Sequence, residues 1–158
     1  VVLLDVNERM VRIGRDALID AGCDTVGVVM GDAEAIPTPD CSFDAATIGF
    51  GLRNFSDRDR ALEEAWRVLR PGGRLVVLEF ASPPNRAVAV LAKTYRRTWP
   101  ILGRIVSGNA FPYTYLAESI DTYPTQATLC QMLSDAGFKN VSYENLLLGS
   151  HSIHTGSK

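Results

Sequence analysis

The sequence predicts an α/β fold built on a mostly parallel sheet that ends in an antiparallel hairpin. Two observations predict it. Apolar runs and helical stripes follow one another as strand, helix, strand, strand, helix, strand, the alternation expected of a parallel sheet with crossover helices. The strand runs are also continuously apolar, as in "VVLLD" at residues 1–5, which suits strands covered on both faces.

The elements follow in order. "VVLLD" is a first strand that ends on an acid. "NERMVRIGRDALIDAG" is a helix with Met10, Ile13, Ala17 and Leu18 as its apolar stripe and Gly22 as its stop. "TVGVVMGDAE" is a second strand ending at Gly31-Asp32, and "FDAATIGF" is a third after the turn-rich "PTPDCS". "DRDRALEEAWRVL" is a helix with Ala61, Leu62, Ala65, Trp66 and Leu69 inward. It stops at Pro71-Gly72-Gly73, and "GRLVVLEF" is the fourth strand. Residues 85–107 are helical with a break at Pro100, and the segment to Pro124 is aromatic and irregular. "TQATLCQMLSDAGF" is the last helix, with Leu129 and Leu133 facing inward. "NVSYENLLLG" and "SHSIHTG" then form the terminal hairpin.

Composition bounds the function. The 158 residues, 46% of them hydrophobic, suffice for one domain with a real core. A net charge of -2 gives no overall basic field, so no nucleic-acid partner is expected. The charge is unevenly placed, however. No Asp or Glu lies between Phe80 and Ala117, whereas Arg86, Lys93, Arg96, Arg97 and Arg104 do. With Tyr95, Trp99, Phe111, Tyr113 and Tyr115 interleaved, this stretch reads as a lid over an apolar ligand, a peripheral membrane contact or a packed subdomain. Cys23, Cys41 and Cys130 are scattered, which fits a reducing cytoplasm rather than a disulfide framework. His151 and His154 would point to opposite faces of a strand, so they are expected to be structural, and no metal site is expected. The chain opens inside a strand, and upstream sequence, with a further strand and its loop, is expected to be missing.

Ligands of open parallel sheets bind beyond the carboxyl ends of the strands. Three such ends carry suggestive residues. Asp5 offers two carboxylate oxygens to the vicinal hydroxyls of a ribose, and Asp32 could accept from the amine of an adenine. Gly49 and Gly51 would let backbone approach a flat ligand. Each has a plainer reading: Asp5 as a helix cap, Asp32 as an Asx turn and the glycines as turn residues. Together they point to a nucleoside-bearing cofactor.

"RVLRPGGRLVVLEFAS", residues 67–82, resembles the second signature of the UbiE-type ubiquinone/menaquinone biosynthesis C-methyltransferases. "GDAEAIP", "FGLRN" and "YLAESI" resemble other blocks of that family in the same order. The resemblance implies a class I SAM-dependent methyltransferase, Rossmann-like, over residues 1–158, with residues 85–124 as a lid over the substrate. It also implies S-adenosyl-L-methionine as cofactor and a polyprenylated quinol as substrate. Asp5 would then bind the ribose, Asp32 and Ala33 would lie against the adenine, and Gly49 would contact the cofactor where relatives commonly have Ser. Arg53 and Asn54 would face the quinol. The glycine-rich loop of the family is absent, and Ser150, His151 and Ser152 stand where the family has apolar residues. A homo-oligomer or a quinone-biosynthesis complex, at the cytoplasmic face of the membrane, fits the same picture.

Methylation at carbon needs an ortho phenolate. Arg53 cannot accept a proton, so its expected role is to stabilise that phenolate, with Asn54 holding a water or the ring oxygen. The plainer expectation is that Arg53 pairs with a loop acid such as Asp57. Demethylmenaquinol is the expected substrate, with a ubiquinol precursor (2-polyprenyl-6-methoxy-1,4-benzoquinol) as the alternative. A methyltransferase acting on oxygen or nitrogen, and a non-catalytic scaffold, are the rival readings.

Overall fold

The computed structural model describes residues 1–23 and 25–158. β1 (Val2–Asp5), α1 (Glu8–Asp20) and β2 (Gly27–Met30) form a parallel βαβ unit with Asp5 opposite Met30. Asn7 starts α1 by accepting from the N–H groups of Arg9 and Met10, which satisfies two donors that a helix N-terminus leaves open. The inward side of α1 differs from the expected stripe. Val11, Gly14 and Leu18 are half-buried, whereas Met10 and Ile13 are each 51% exposed. Both sets have helical spacing, and only the crossing of helix over strand chooses between them.

β3 (Phe43–Gly49) runs parallel to β4 (Leu69–Phe80), joined through α2 (Arg58–Val68). β4 continues antiparallel to β6 (His151–Ser157), which pairs in turn with β5 (Lys139–Leu146). The predicted hairpin is present. The sheet is not one continuous surface: β1 and β2 form one ladder and β3, β4, β6 and β5 another. Among the described residues no strand hydrogen-bonds β1 to β3. The two parts are joined through loops, where Glu34 accepts from the N–H groups of Ser56 and Asp57 and Glu64 accepts from that of Ile36.

α2 and α6 (Gln126–Asp135) cover one face of the larger sheet. Leu62, Ala65 and Leu69 meet Leu75, Val77, Leu129 and Leu133 there, all buried. Each fully buried Leu contributes roughly 1.5–3 kcal/mol by removal of apolar surface from water. Trp66 flanks this core: its indole N–H donates to Gly137 O, and the Lys158 ammonium lies 3.9 Å from its ring centroid. At the "RPGG" turn β4 begins earlier than expected, since Leu69 already pairs with Phe43. Gly73 is needed here, because a Cβ would lie 2.8 Å from Arg70 O.

Three helices link β4 to α6: α3 (Arg86–Arg96), α4 (Trp99–Ser107) and α5 (Phe111–Asp121). The expectation of irregular structure after residue 107 is corrected by α5. Pro112 lies in its first turn, where a missing N–H costs nothing and the fixed φ favours a helix start. Pro100 plays the same part in α4. Arg96 bonds Asp121 at 2.7 Å, which locks α3 to α5.

Candidate active site

At the carboxyl end of β3 the chain turns sharply. The left-handed residue of this turn is Phe50, with φ 54, not either glycine. A bulky side chain held there stores about 1–3 kcal/mol, and such strain clusters at functional sites. Gly49 and Gly51 are not forced by packing. A Cβ at Gly49 would meet nothing within 4 Å, which leaves open space beside the strand end. A single 3-10 turn, Leu52–Asn54, follows and is anchored by the fully buried Leu52.

That turn carries Arg53. Its Nη1 donates to both carboxylate oxygens of Glu79, at 2.9 and 3.1 Å, and its backbone N–H donates to the same carboxylate. Glu79 is wholly buried and the Arg53 side chain is 12% exposed. The pairing with Asp57 is thereby corrected: Asp57 caps α2 by accepting from the N–H of Arg60. Expecting only surface acids near Arg53 overlooked that a strand ending in Glu79 puts a carboxylate inside the fold. The Arg53 guanidinium also lies 5.8 Å from the Phe50 ring centroid and 5.3 Å from that of Phe80, within cation–π range. Its Nε is buried and has no hydrogen-bond partner among the described residues. A buried, unpaired donor of this kind is costly unless a ligand satisfies it.

Asn54 is less free than expected. Its Oδ1 accepts from the Tyr115 hydroxyl of α5 at 3.0 Å. Phe50, Phe80 and His151 form one aromatic group, with His151 4.7 Å from the Phe80 centroid and edge-on to Phe50 at 5.9 Å. Burial lowers the His151 pKa and the nearby Glu79 partly opposes it. His154 points to the other face, as expected; it is buried, its Nε2 lies 3.1 Å from Gln126 O, and burial lowers its pKa as well.

Asp5 and Asp32 sit at adjacent strand ends, since the Gly31 N–H donates to Asp5 O. Each carboxylate uses one oxygen in a local turn: Asp5 Oδ1 accepts from the Asn7 N–H, and Asp32 Oδ1 from that of Glu34. The other oxygen of each has no protein partner among the described residues. Ala33, beside them, is half-buried. Asp5, Asp32 and Ala33 thus share one edge on the smaller sheet, while Gly49, Arg53 and Asn54 gather on the larger.

The model of the ubiE/COQ5 methyltransferase family matches residues 1–158. The chain belongs to this family. It is 46% identical over 160 residues to the ubiquinone/menaquinone biosynthesis C-methyltransferase UbiE of Ectopseudomonas mendocina, covering 100% of this chain and 62% of that protein. Against the protein of the same name from Francisella tularensis subsp. tularensis it is 45% identical over 163 residues, covering 100% and 64%. It therefore spans less than two thirds of the length of these relatives. A SAM-dependent methyltransferase of Thermotoga maritima superposes with a TM-score of 0.70 at 22% identity, covering 98% of this chain and 72% of that one. The fold is thus that of the class I SAM-dependent methyltransferases.

Residues that support the site in this family member escaped the sequence reading. Glu79 was legible only as a strand end, and Glu64 only as one more charge on α2. Glu64 bonds Arg67, whose guanidinium also reaches Thr38 O, Ile36 O and Asp40. The hydrogen bond from Arg67 lowers the Glu64 pKa against its burial. Together they hold the loop that follows Asp32. An acid among the inward residues of α2 is the one signal that could have marked Glu64.

Proposed function

We propose that this chain serves S-adenosyl-L-methionine-dependent C-methylation of a polyprenylated quinol, converting demethylmenaquinol to menaquinol. One observation carries the reading: Arg53, in the family-specific "FGLRN" block, keeps a buried, unpartnered Nε beside two aromatic rings. The free oxygens of Asp5 and Asp32 fit the ribose and adenine of the cofactor, with Ala33 beside the base and open space at Gly49. When bound, S-adenosylmethionine supplies an electrophilic methyl group. The protein's part is to hold the ring and favour its oxyanion.

The salt bridge changes how Arg53 does this. Its charge is already balanced by Glu79, so its contribution is directed hydrogen bonding from Nε rather than a free positive field. Glu79 fixes the guanidinium in place. Asn54, with Oδ1 held by Tyr115 and Nδ2 donating to Phe50 O at 3.5 Å, keeps one amide hydrogen for the ring oxygen. Ubiquinone and menaquinone both stand in the relatives' names, so methylation of a ubiquinol precursor is the second reading.

The three helices at residues 85–124 act in this proposal as the substrate lid. Val90, Leu91, Ile101, Ile105, Val106 and Phe111 are each more than 60% exposed. With the acid-free basic stretch around them, they suit an isoprenoid tail or the surface of an anionic membrane. No helix among the described residues is long and apolar enough to cross a membrane. A homo-oligomer or a quinone-biosynthesis complex would use the same helices.

The test is calorimetry of S-adenosylmethionine with this chain and with a version extended by the preceding segment of the Ectopseudomonas mendocina relative. Binding to either, followed by methylation of a short-chain demethylmenaquinol, is expected. If neither version binds the cofactor, the assignment of Asp5 and Asp32 is wrong and a scaffold role replaces it.

A further inference from the structure

We propose that His151 is the proton acceptor for the phenol; this rests on the quinol reading of the site. β6 runs against β4, so its first residue lies at the carboxyl edge, paired with Phe80. The imidazole and the Arg53 guanidinium flank the same two rings, Phe50 and Phe80. A ring bound against that aromatic pair would therefore lie near both the Arg53 guanidinium and the imidazole.

The hydrogen bonds fix which nitrogen is basic. Ser150 Oγ lies 2.9 Å from Leu147 O, and a carbonyl can only accept, so the single hydroxyl proton is spent there. Ser150 Oγ also lies 2.9 Å from His151 Nδ1. That second bond must therefore be donated by Nδ1–H. Nε2 is left with its lone pair and has no protein partner among the described residues. Burial keeps the ring neutral at neutral pH, the form that accepts a proton.

The other groups of the site are unsuited to this step. Glu79 has both oxygens bonded to Arg53. Asn54 is not a base, and burial keeps the Tyr123 phenol protonated. The charged group that acts on His151 is Glu79 from β4, which raises its pKa against burial and is itself paired with Arg53. The neighbour of His151 on β5 is the uncharged Leu146. The sequence carries this imidazole where the pattern it resembles has an apolar residue, so the step belongs to this chain.

In the transfer, the phenol O–H bond breaks and an Nε2–H bond forms. The electron pair stays on oxygen, next to Arg53 Nε–H. The imidazolium then releases its proton to solvent through its exposed edge.

The test uses p-nitrophenol, whose phenolate is coloured, and histidine labelled in the ring for NMR. With only two histidines in the chain, His151→Val assigns both signals. Below the probe's own ionisation pH, wild type should bind it with colour while the His151 resonance moves to its imidazolium position. His151→Val and His151→Gln should bind the probe with at least tenfold less phenolate. Equal colour in the variants, or an unmoved His151 signal with probe bound, overturns the proposal and leaves the quinol site standing. If neither p-nitrophenol nor menadiol binds wild type, the quinol reading itself falls, and this step with it.

Discussion

The Tyr115 hydroxyl donates to Asn54 Oδ1 at 3.0 Å across 61 positions of sequence. This bond ties α5 to the turn that carries Arg53, and so couples the helices of residues 85–124 to the candidate ring site. Tyr115→Phe should cost about 0.5–1.5 kcal/mol of stability, as for one hydrogen bond. Proteolysis between α3 and α5 should speed up, and KM for the quinol should rise more than kcat falls. An unchanged digestion pattern would show that the bond does not hold the helices.

Arg53 and Glu79 form a pair whose loss leaves a buried charge. Arg53→Ala should destabilise the fold by about 3–5 kcal/mol, because Glu79 has no other cation partner among the described residues. Arg53→Ala combined with Glu79→Gln should recover a large part of that loss. Urea unfolding of the parent and the two variants measures it. Methylation should be lost in both Arg53 variants, which separates the structural role from the chemical one.

Glu64 makes stability depend on pH. Its folded pKa lies below the ordinary 4.5, chiefly through the bond from Arg67. The stabilisation is therefore complete above that ordinary value and fades as pH falls through the lower, folded one. Glu64→Gln should lower the urea midpoint at neutral pH, and its gap to wild type should close in acid. His154 acts earlier. Burial lowers its pKa from 6.5, so the unfolded chain takes up the proton first and stability falls as pH drops below 6.5. His154→Gln should flatten that part of the curve.

The outward side of α4 is the most exposed apolar surface of these helices, with Ile105 and Val106 at 74% and 80%. Ile105→Glu with Val106→Glu should cut binding to phosphatidylglycerol vesicles at least tenfold without lowering thermal stability. Co-sedimentation measures the first and circular dichroism the second. Equal sedimentation of variant and parent would remove the membrane from the proposal.

The sequence by itself determined the kinds of element and their order, because periodicity and turn residues are local properties. The run ending in Asp5, the helix through Leu62 and Ala65, and the hairpin through His154 all stand in the structure as read. Family membership was likewise legible in "FGLRN" and "RVLRPGG". Tertiary structure decided which faces turn inward and which distant groups meet. Met10 and Ile13 have helical spacing as good as that of Val11 and Leu18, and only the crossing over β1 and β2 chooses between them. The stretch around Pro112 reads as irregular until a first helical turn forms on that proline. Arg53 meets Glu79, and His151 meets Phe80, through strand register across positions far apart in sequence, which no local pattern encodes.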